Sequence, residues 1–394
     1  MVLNVYISEA VCDELLRFLD PRDVAWLSTV ARSTQQEVGG LLRQRDLQLP
    51  EDLRVNFNDG YFNIAAGFIL LLQREGSYHP MIYALGGGSV TSAAGSLHVS
   101  DSDTVSSFDP FTRIWASCPS MPTPRTHHCA AAVDGRIWAV GGVSRVRDCA
   151  IAEVESFDPT RPQRWTSHTP MTQPRHSFGC TGLDGKLYVV GGEYSVGRAH
   201  GRIGDMEIFD PATNQWTTGP SLPLARNRLT LEAVNGKLFV IGGCFDEEDD
   251  GYEEVNYGPT AEIPTAAVEC FDLQTGLWSP AAPMKIPRSG HASTVVNSCV
   301  IVMGGVSQDG HATNTVECFN PMSNTWTMLP SMTFTRENFG AATWKGTVIA
   351  VGGCMLQGQN GECFRVLPAQ GEASWVPIPD MEDTRLGLCV AATG

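Results

Sequence analysis

Six tryptophans stand at one fixed distance from an arginine, and that spacing constrains this chain more than any other feature. Trp115, Trp165, Trp216, Trp278, Trp326 and Trp375 each lie ten residues before Arg125, Arg175, Arg226, Arg288, Arg336 and Arg385. Sixteen residues after the first five arginines comes a Gly-Gly pair, beginning at Gly141, Gly191, Gly242, Gly304 and Gly352. Four residues before each arginine is an apolar side chain: Met121, Met171, Leu222, Met284, Met332 and Met381. Such a grid is an internal repeat, and a repeat determines architecture before local propensity does.

Each unit reads as four short strands. A small apolar segment follows the arginine, as in Cys129 to Val133. A two-residue turn comes next: Asp134-Gly135, Asp184-Gly185, Asn235-Gly236, Asn297-Ser298 or Lys345-Gly346. Asp-Gly and Asn-Gly supply the positive φ angles that tight hairpins need. The second strand ends in Gly-Gly. After a loop of variable length, the third ends in Phe-Asp-Pro at Phe108, Phe157 and Phe209, with variants at Phe271 and Phe319. The Asp-Pro pair starts a β-turn, its carboxylate accepting from backbone ahead. The fourth strand carries the tryptophan, whose large apolar area suits it to anchor one unit on its neighbour. In the sixth unit Cys363-Phe364 has no Asp-Pro after it.

Paired glycines, a spaced aromatic and a tryptophan, with a period near fifty residues, resemble the kelch repeat. The resemblance implies an all-β six-bladed kelch β-propeller over residues 80–394. The first Gly-Gly, Gly86-Gly87, has Leu70 where its arginine would stand. Arg385 instead opens Leu386 to Ala392, which matches the first strand of the other units. The expectation is that this C-terminal strand completes the first blade beside Met81 to Leu85. The rival is Gly67 to Leu72 as the missing strand. Closure removes sheet edges that otherwise invite aggregation.

Composition narrows the class. The chain of 394 residues has 40 glycines and 24 prolines, enough to punctuate many strands without implying disorder. Its formal charge of −16 repels nucleic-acid backbones, and no basic stripe compensates. Its longest apolar run, Ala65 to Leu72, is far shorter than the ~20 residues needed to span a bilayer, and no membrane partner is expected. The 12 cysteines include no Cys-X-X-Cys. Their scatter suits small strand residues in a reducing compartment, so the expected location is cytoplasmic or nuclear. No cofactor or metal ligand set is apparent.

Residues 1–50 lie outside the repeat. Val11, Leu15, Phe18 and Leu19 have helical spacing; Asp20, Pro21 and Asp23 read as a cap and first turn; Val24, Leu27 and Val30 continue an apolar stripe. Read from these residues alone, the segment is a small α-helical module that needs a partner surface or caps the ring. The run from Val11 to Val24 resembles the F-box, with an acidic, leucine-rich helix before Leu19-Asp20-Pro21-Arg22-Asp23. That resemblance implies docking onto a Skp-family adaptor and a cullin scaffold through Leu15, Leu16, Leu19, Pro21, Val24 and Leu27. Residues 51–79 read as a linker or packing segment.

The resulting expectation is a substrate receptor of an SCF-type (cullin) E3 ubiquitin ligase: helices to the ligase, propeller to a target protein, no catalytic residue of its own. A kelch scaffold or cytoskeletal interaction protein is the first alternative, and a propeller enzyme such as a sugar isomerase the second. The arginine-bearing face is the expected contact surface. Arg125, Arg175, Arg226, Arg288, Arg336 and Arg385, with His127, His176, Arg228 and Asn338 beside them, form a ring of donors suited to carboxylates or an acidic peptide. A competing role for the repeated arginines is bracing through backbone carbonyls. The loop Asp246 to Glu262, acidic without a basic residue, is read as a solvated insertion or a contact for a basic partner.

Overall fold

The computed structural model describes residues 81–393 apart from 94–95, 111–112, 162–163, 197–198, 247–261, 354–360, 366–373 and 382–384. The helical module expected over 1–50, its adaptor-binding residues, the segment 51–79 and the Gly67 to Leu72 strand lie outside the described residues, as does most of the acidic loop.

Six four-stranded antiparallel sheets form the blades, and smaller sheets are built from the loops between their strands. The third blade is typical: Gly179–Leu183, Lys186–Val190, Met206–Asp210 and Gln215–Gly219, in sequence order from the inside out. Five units follow this order. In the first blade the inner strand is Cys389–Ala392, from the opposite end of the chain. It pairs with Ile82–Leu85 in the register Ile82 with Ala392 through Leu85 with Cys389. Inner strands of successive blades are neighbours all the way round, so the ring is closed and propeller-like. In the sixth blade, where Asp-Pro is missing, the outer pairing shrinks to Glu362 with Pro377 and Cys363 with Val376.

Local chemistry accounts for the strands. The hairpin turns have φ of 50° and 72° at Asp134-Gly135 and 51° and 72° at Asn235-Gly236, the left-handed pair these dipeptides tolerate. Asp158, Asp210 and Asp272 each accept the backbone N–H two residues on, at 2.9, 2.9 and 2.8 Å. The Gly-Gly pairs bring strands where no Cβ fits. A side chain at Gly142 would lie 2.7 Å from both His128 Cβ and the Thr126 carbonyl.

Two repeated devices join the blades. Each tryptophan indole N–H donates to a carbonyl in the preceding blade: Trp165 to Pro119 (2.8 Å), Trp278 to Pro220 (3.0 Å), Trp326 to Ala282 (2.7 Å) and Trp375 to Pro330 (2.9 Å). Trp115 reaches Pro379 at 2.8 Å and so ties the first blade to the sixth. The second glycine of each pair donates its N–H to the carbonyl of the next unit's arginine, as Gly142 does to Arg175 at 2.9 Å. Cores fill the spaces between neighbouring sheets; Ala131, Trp138, Val154, Phe178, Val189 and Phe209 form one of them.

Candidate functional site

The repeated arginines do not face a partner. All six side chains are enclosed by the fold, so the expected ring of surface donors is corrected to a set of internal braces. Five of them reach the carbonyl of their own blade's first paired glycine: Arg125 to Gly141 (2.9 Å), Arg175 to Gly191 (3.0 Å), Arg288 to Gly304 (2.7 Å), Arg336 to Gly352 (2.8 Å) and Arg385 to Gly86 (3.3 Å). Arg226 instead engages both oxygens of Glu269, one of them at 2.9 Å.

Charge balance comes from carboxylates that the sequence reading overlooked. Glu155 meets Arg125 at 2.9 Å, Glu207 meets Arg175 at 2.6 Å, and Glu317 meets Arg288 at 2.7 Å. The signal was present: Glu155, Glu207, Glu269 and Glu317 each stand two residues before the repeated phenylalanine. The first blade has Ser106 there, and its hydroxyl accepts from Arg385 at 2.9 Å. An enclosed guanidinium requires such a partner, since an unpaired buried charge is costly.

Two residues beyond each arginine the chain forms a second ring, which the sequence reading touched only in part. His127, Ser177, Arg228 and Asn338 take φ of 48°, 54°, 51° and 52°, joined by Gly290 at 60° and Gly387 at 59°. Their backbones are linked head to tail. His127 N–H donates to Gly387 (2.9 Å), Ser177 to His127 (2.9 Å), Arg228 to Ser177 (2.6 Å), Gly290 to Arg228 (2.9 Å), Asn338 to Gly290 (2.8 Å) and Gly387 to Asn338 (2.8 Å). This cycle of six hydrogen bonds frames one mouth of the central channel. Left-handed backbone at a non-glycine residue is unfavourable and persists where surroundings enforce it. Here closure of the ring does so.

Of the expected contact residues, the structure brings His127, Arg228 and Asn338 onto the mouth, with His176 immediately beside it. Arg228 already has a partner: its guanidinium lies 3.1 Å from Glu262, at the end of the acidic loop. Next to it Asn227 donates to Glu193 at 2.6 Å and accepts from Arg202 at 3.0 Å. The loops after Gly-Gly extend this face. Val143–Ser144, Cys149–Ala150, Glu193–Val196 and Ala199–Arg202 form one small sheet shared by the second and third blades. Val146 is 88% exposed and Val196 61% exposed on it. Arg145 and Arg147, both about half exposed, flank Val146 and pair with Asp101 and Glu153.

Burial holds the histidines of this region neutral. Desolvation, followed by the nearby His176, Arg228 and Arg145 charges, pushes His127 down to about 4. Desolvation and then Arg228 push His176 down to about 4. His291 falls to about 3, chiefly by burial with Arg288 adding, and His128 falls well below its ordinary value for the same leading reason. An unfolded chain protonates these histidines near 6.5. Between pH 6.5 and 5 it therefore takes up protons that the folded ring refuses, and stability falls as pH drops through that window. Glu232 opposes this, because burial raises its carboxyl to about 7 and the folded state binds its proton first. Four histidines outweigh one carboxyl. The expected result is a loss of about 2–4 kcal/mol per pH unit from pH 6.5 to 5, read from urea midpoints, with a shallower slope in His176→Asn.

The channel inside the mouth has a volume of about 440 Å³. Its walls are the inner strands, presenting Ala131, Thr181, Glu232, Thr294 and Ala342 among others. Among the described residues no cluster of His, Cys, Asp and Glu is arranged to hold a metal ion, and no helix is long and apolar enough to cross a membrane.

Comparison with known proteins agrees with this geometry. The family described as the KLHDC2/KLHL20/DRC7 Kelch-repeats domain matches residues 77–243. The Kelch motif matches residues 225–285 and 287–333. Kelch-like protein 15 of Homo sapiens is 27% identical over 244 residues, which cover 58% of this chain and 38% of that relative. Beta-scruin of Limulus polyphemus is 24% identical over 198 residues, 49% of this chain and 20% of its own length. The chain thus spans well under half of the relatives it matches. A solved structure, "Structure of YjhT", superposes with a TM-score of 0.58 at 17% identity, covering 70% of this chain and 89% of that one, a likeness of fold alone.

Proposed function

The chain is a kelch-repeat protein, and from that premise we propose that it is a non-enzymatic substrate receptor of an SCF-type ubiquitin ligase. The channel-mouth face takes the target protein. Residues 1–50 take a Skp-family adaptor bound to a cullin scaffold, through Leu15, Leu16, Leu19, Pro21, Val24 and Leu27.

The observation that carries the binding half is the sheet built from the loops of the second and third blades. Two exposed valines, Val146 and Val196, and two half-exposed arginines on or beside it, with the mouth residues His127, His176 and Arg228 close by, support this reading. Apolar side chains rimmed by charge are the anatomy of a protein contact. The ligase half is supported by the F-box-like run from Val11 to Val24. Small helical modules of that size need a partner surface to be stable.

The test is reconstitution of the full-length chain with a purified Skp-family adaptor. Co-elution at micromolar concentration, abolished by deleting residues 1–45 and by the pair Leu15→Asp and Leu19→Asp, is the expected outcome. Failure of the intact chain to bind any such adaptor would reject the ligase role and leave a kelch scaffold.

A further inference from the structure

We propose that the central channel is a binding site for a small organic cation, a primary ammonium or guanidinium group, with Glu232 as its counter-ion. This does not rest on the ligase reading.

The inner strands carry one residue at the sixth position after each arginine: Ala131, Thr181, Glu232, Thr294, Ala342 and Ala391. Five are small or hydroxylic, as a packed channel wall requires. The sixth is a carboxylic acid facing the cavity of about 440 Å³. Glu155, Glu207, Glu269 and Glu317 each neutralise an arginine. Glu232 does not. Its one hydrogen-bond partner among the described residues is the Ser293 hydroxyl of the adjoining blade, 2.6 Å away. Nothing in the repeat calls for an acid here.

The groups around it leave room for one positive charge. Arg228, on the same blade at the mouth, is tied to Glu262. His291, immediately before the inner strand of the adjoining blade, is held neutral with Nε2 bonded to Thr230 at 3.0 Å. Cys180 is held as a thiol by its hydrogen bond with Cys129 and by burial, and Cys389 by burial and the nearby Cys129 sulfur. Thr294 and Thr343 satisfy each other at 2.9 Å. The rest of the lining includes the methyl groups of Ala131, Ala342 and Ala391, Cys129, the Thr181 hydroxyl, and, toward the mouth, Asn338 with His127 and His128, which burial holds neutral. A hard metal ion needs six or more oxygen ligands, which this wall lacks. A short alkyl chain ending in an ammonium or guanidinium matches both the apolar wall and the single acid. Burial favours the protonated acid, so a bound cation restores the ionised form and displaces the proton.

The experiment is titration calorimetry of the full chain with n-propylammonium and with agmatine, at pH 8 and pH 6. Blocked lysine and arginine dipeptides provide a second arm. Millimolar or tighter binding at pH 8, weakened about tenfold at pH 6 and at least about tenfold in Glu232→Gln, is expected. Binding by the free amines but not the dipeptides identifies a soluble ligand; binding by the dipeptides identifies a partner's side chain. Equal affinity in Glu232→Gln, or no heat from any probe up to about 20 mM, overturns the proposal. Should Glu232→Gln not fold, the wild-type chain at pH 7 decides: about half a proton is released per ligand bound, and release of none overturns it.

Discussion

Truncation before Arg385 is expected to leave a chain without a cooperative melting transition. The last strand contributes at every level of the fold. Its residues Ala392 to Cys389 complete the first sheet. Leu388 and Val390 are buried beside Ala342, Ile349 and Ile378. Arg385 fills the internal position of its repeat, donating to Gly86, Thr104 and Ser106. Gly387 closes the backbone cycle at the mouth, between His127 and Asn338. Each large apolar side chain is worth about 1.5–3 kcal/mol of burial. An opened ring also exposes two sheet edges. Together these losses are comparable to the roughly 5–15 kcal/mol of a whole domain. Circular dichroism melts and gel filtration of the truncated chain test this, and a peptide of residues 385–394 added in trans is expected to restore part of the transition by strand addition. A truncated protein that melts at the wild-type temperature would sink the assignment.

The second large effect is expected at Arg288. Its guanidinium lies fully enclosed between Gly304, Thr315 and Glu317, and Glu317 is itself 0% exposed. Arg288→Met removes the cation and leaves a buried carboxylate without its partner. A loss of about 3–5 kcal/mol follows, because the surviving charge keeps its desolvation cost. In Arg288→Met with Glu317→Gln the charge is gone, while the amide oxygen still accepts from Lys285 N–H, 2.7 Å from Glu317 in the native fold. The double variant is expected to recover at least half of the loss. Chemical denaturation of the two single variants and the double one gives the coupling directly. A single variant within about 0.5 kcal/mol of wild type would show that the pair is not what holds this position.

Much of the ring was legible because the repeat writes its geometry six times. The tryptophans, the Gly-Gly pairs and the Asp-Gly turns each have a local physical requirement, and the requirement recurs at a constant offset. The arginines were harder. Their spacing was plain, but exposure is not a property of spacing. A guanidinium at a strand entry points outward to a ligand or inward to a carbonyl depending on what faces it. Glu155, Glu207, Glu269 and Glu317 were the missing clue. They sit 30, 32, 43 and 29 residues after their arginines, so the variable loop hides the pairing from any search for a fixed interval. The backbone cycle was less visible still. His127, Ser177, Arg228, Gly290, Asn338 and Gly387 share no side-chain chemistry, and only their common φ unites them.

By itself the sequence determined a repeat of six four-stranded units, where each strand turns and which aromatic anchors each blade, because those features arise from short-range stereochemistry repeated in register. The tertiary structure alone decided which face is open. It turned six arginines from surface donors into enclosed braces. It brought His127, Arg228 and Asn338 to a common mouth and left Glu232 facing the channel with only Ser293 for a hydrogen-bond partner among the described residues. The physical reason is that burial and charge pairing depend on neighbours roughly fifty residues away in sequence and one blade away in space, and only closure of the ring sets them side by side.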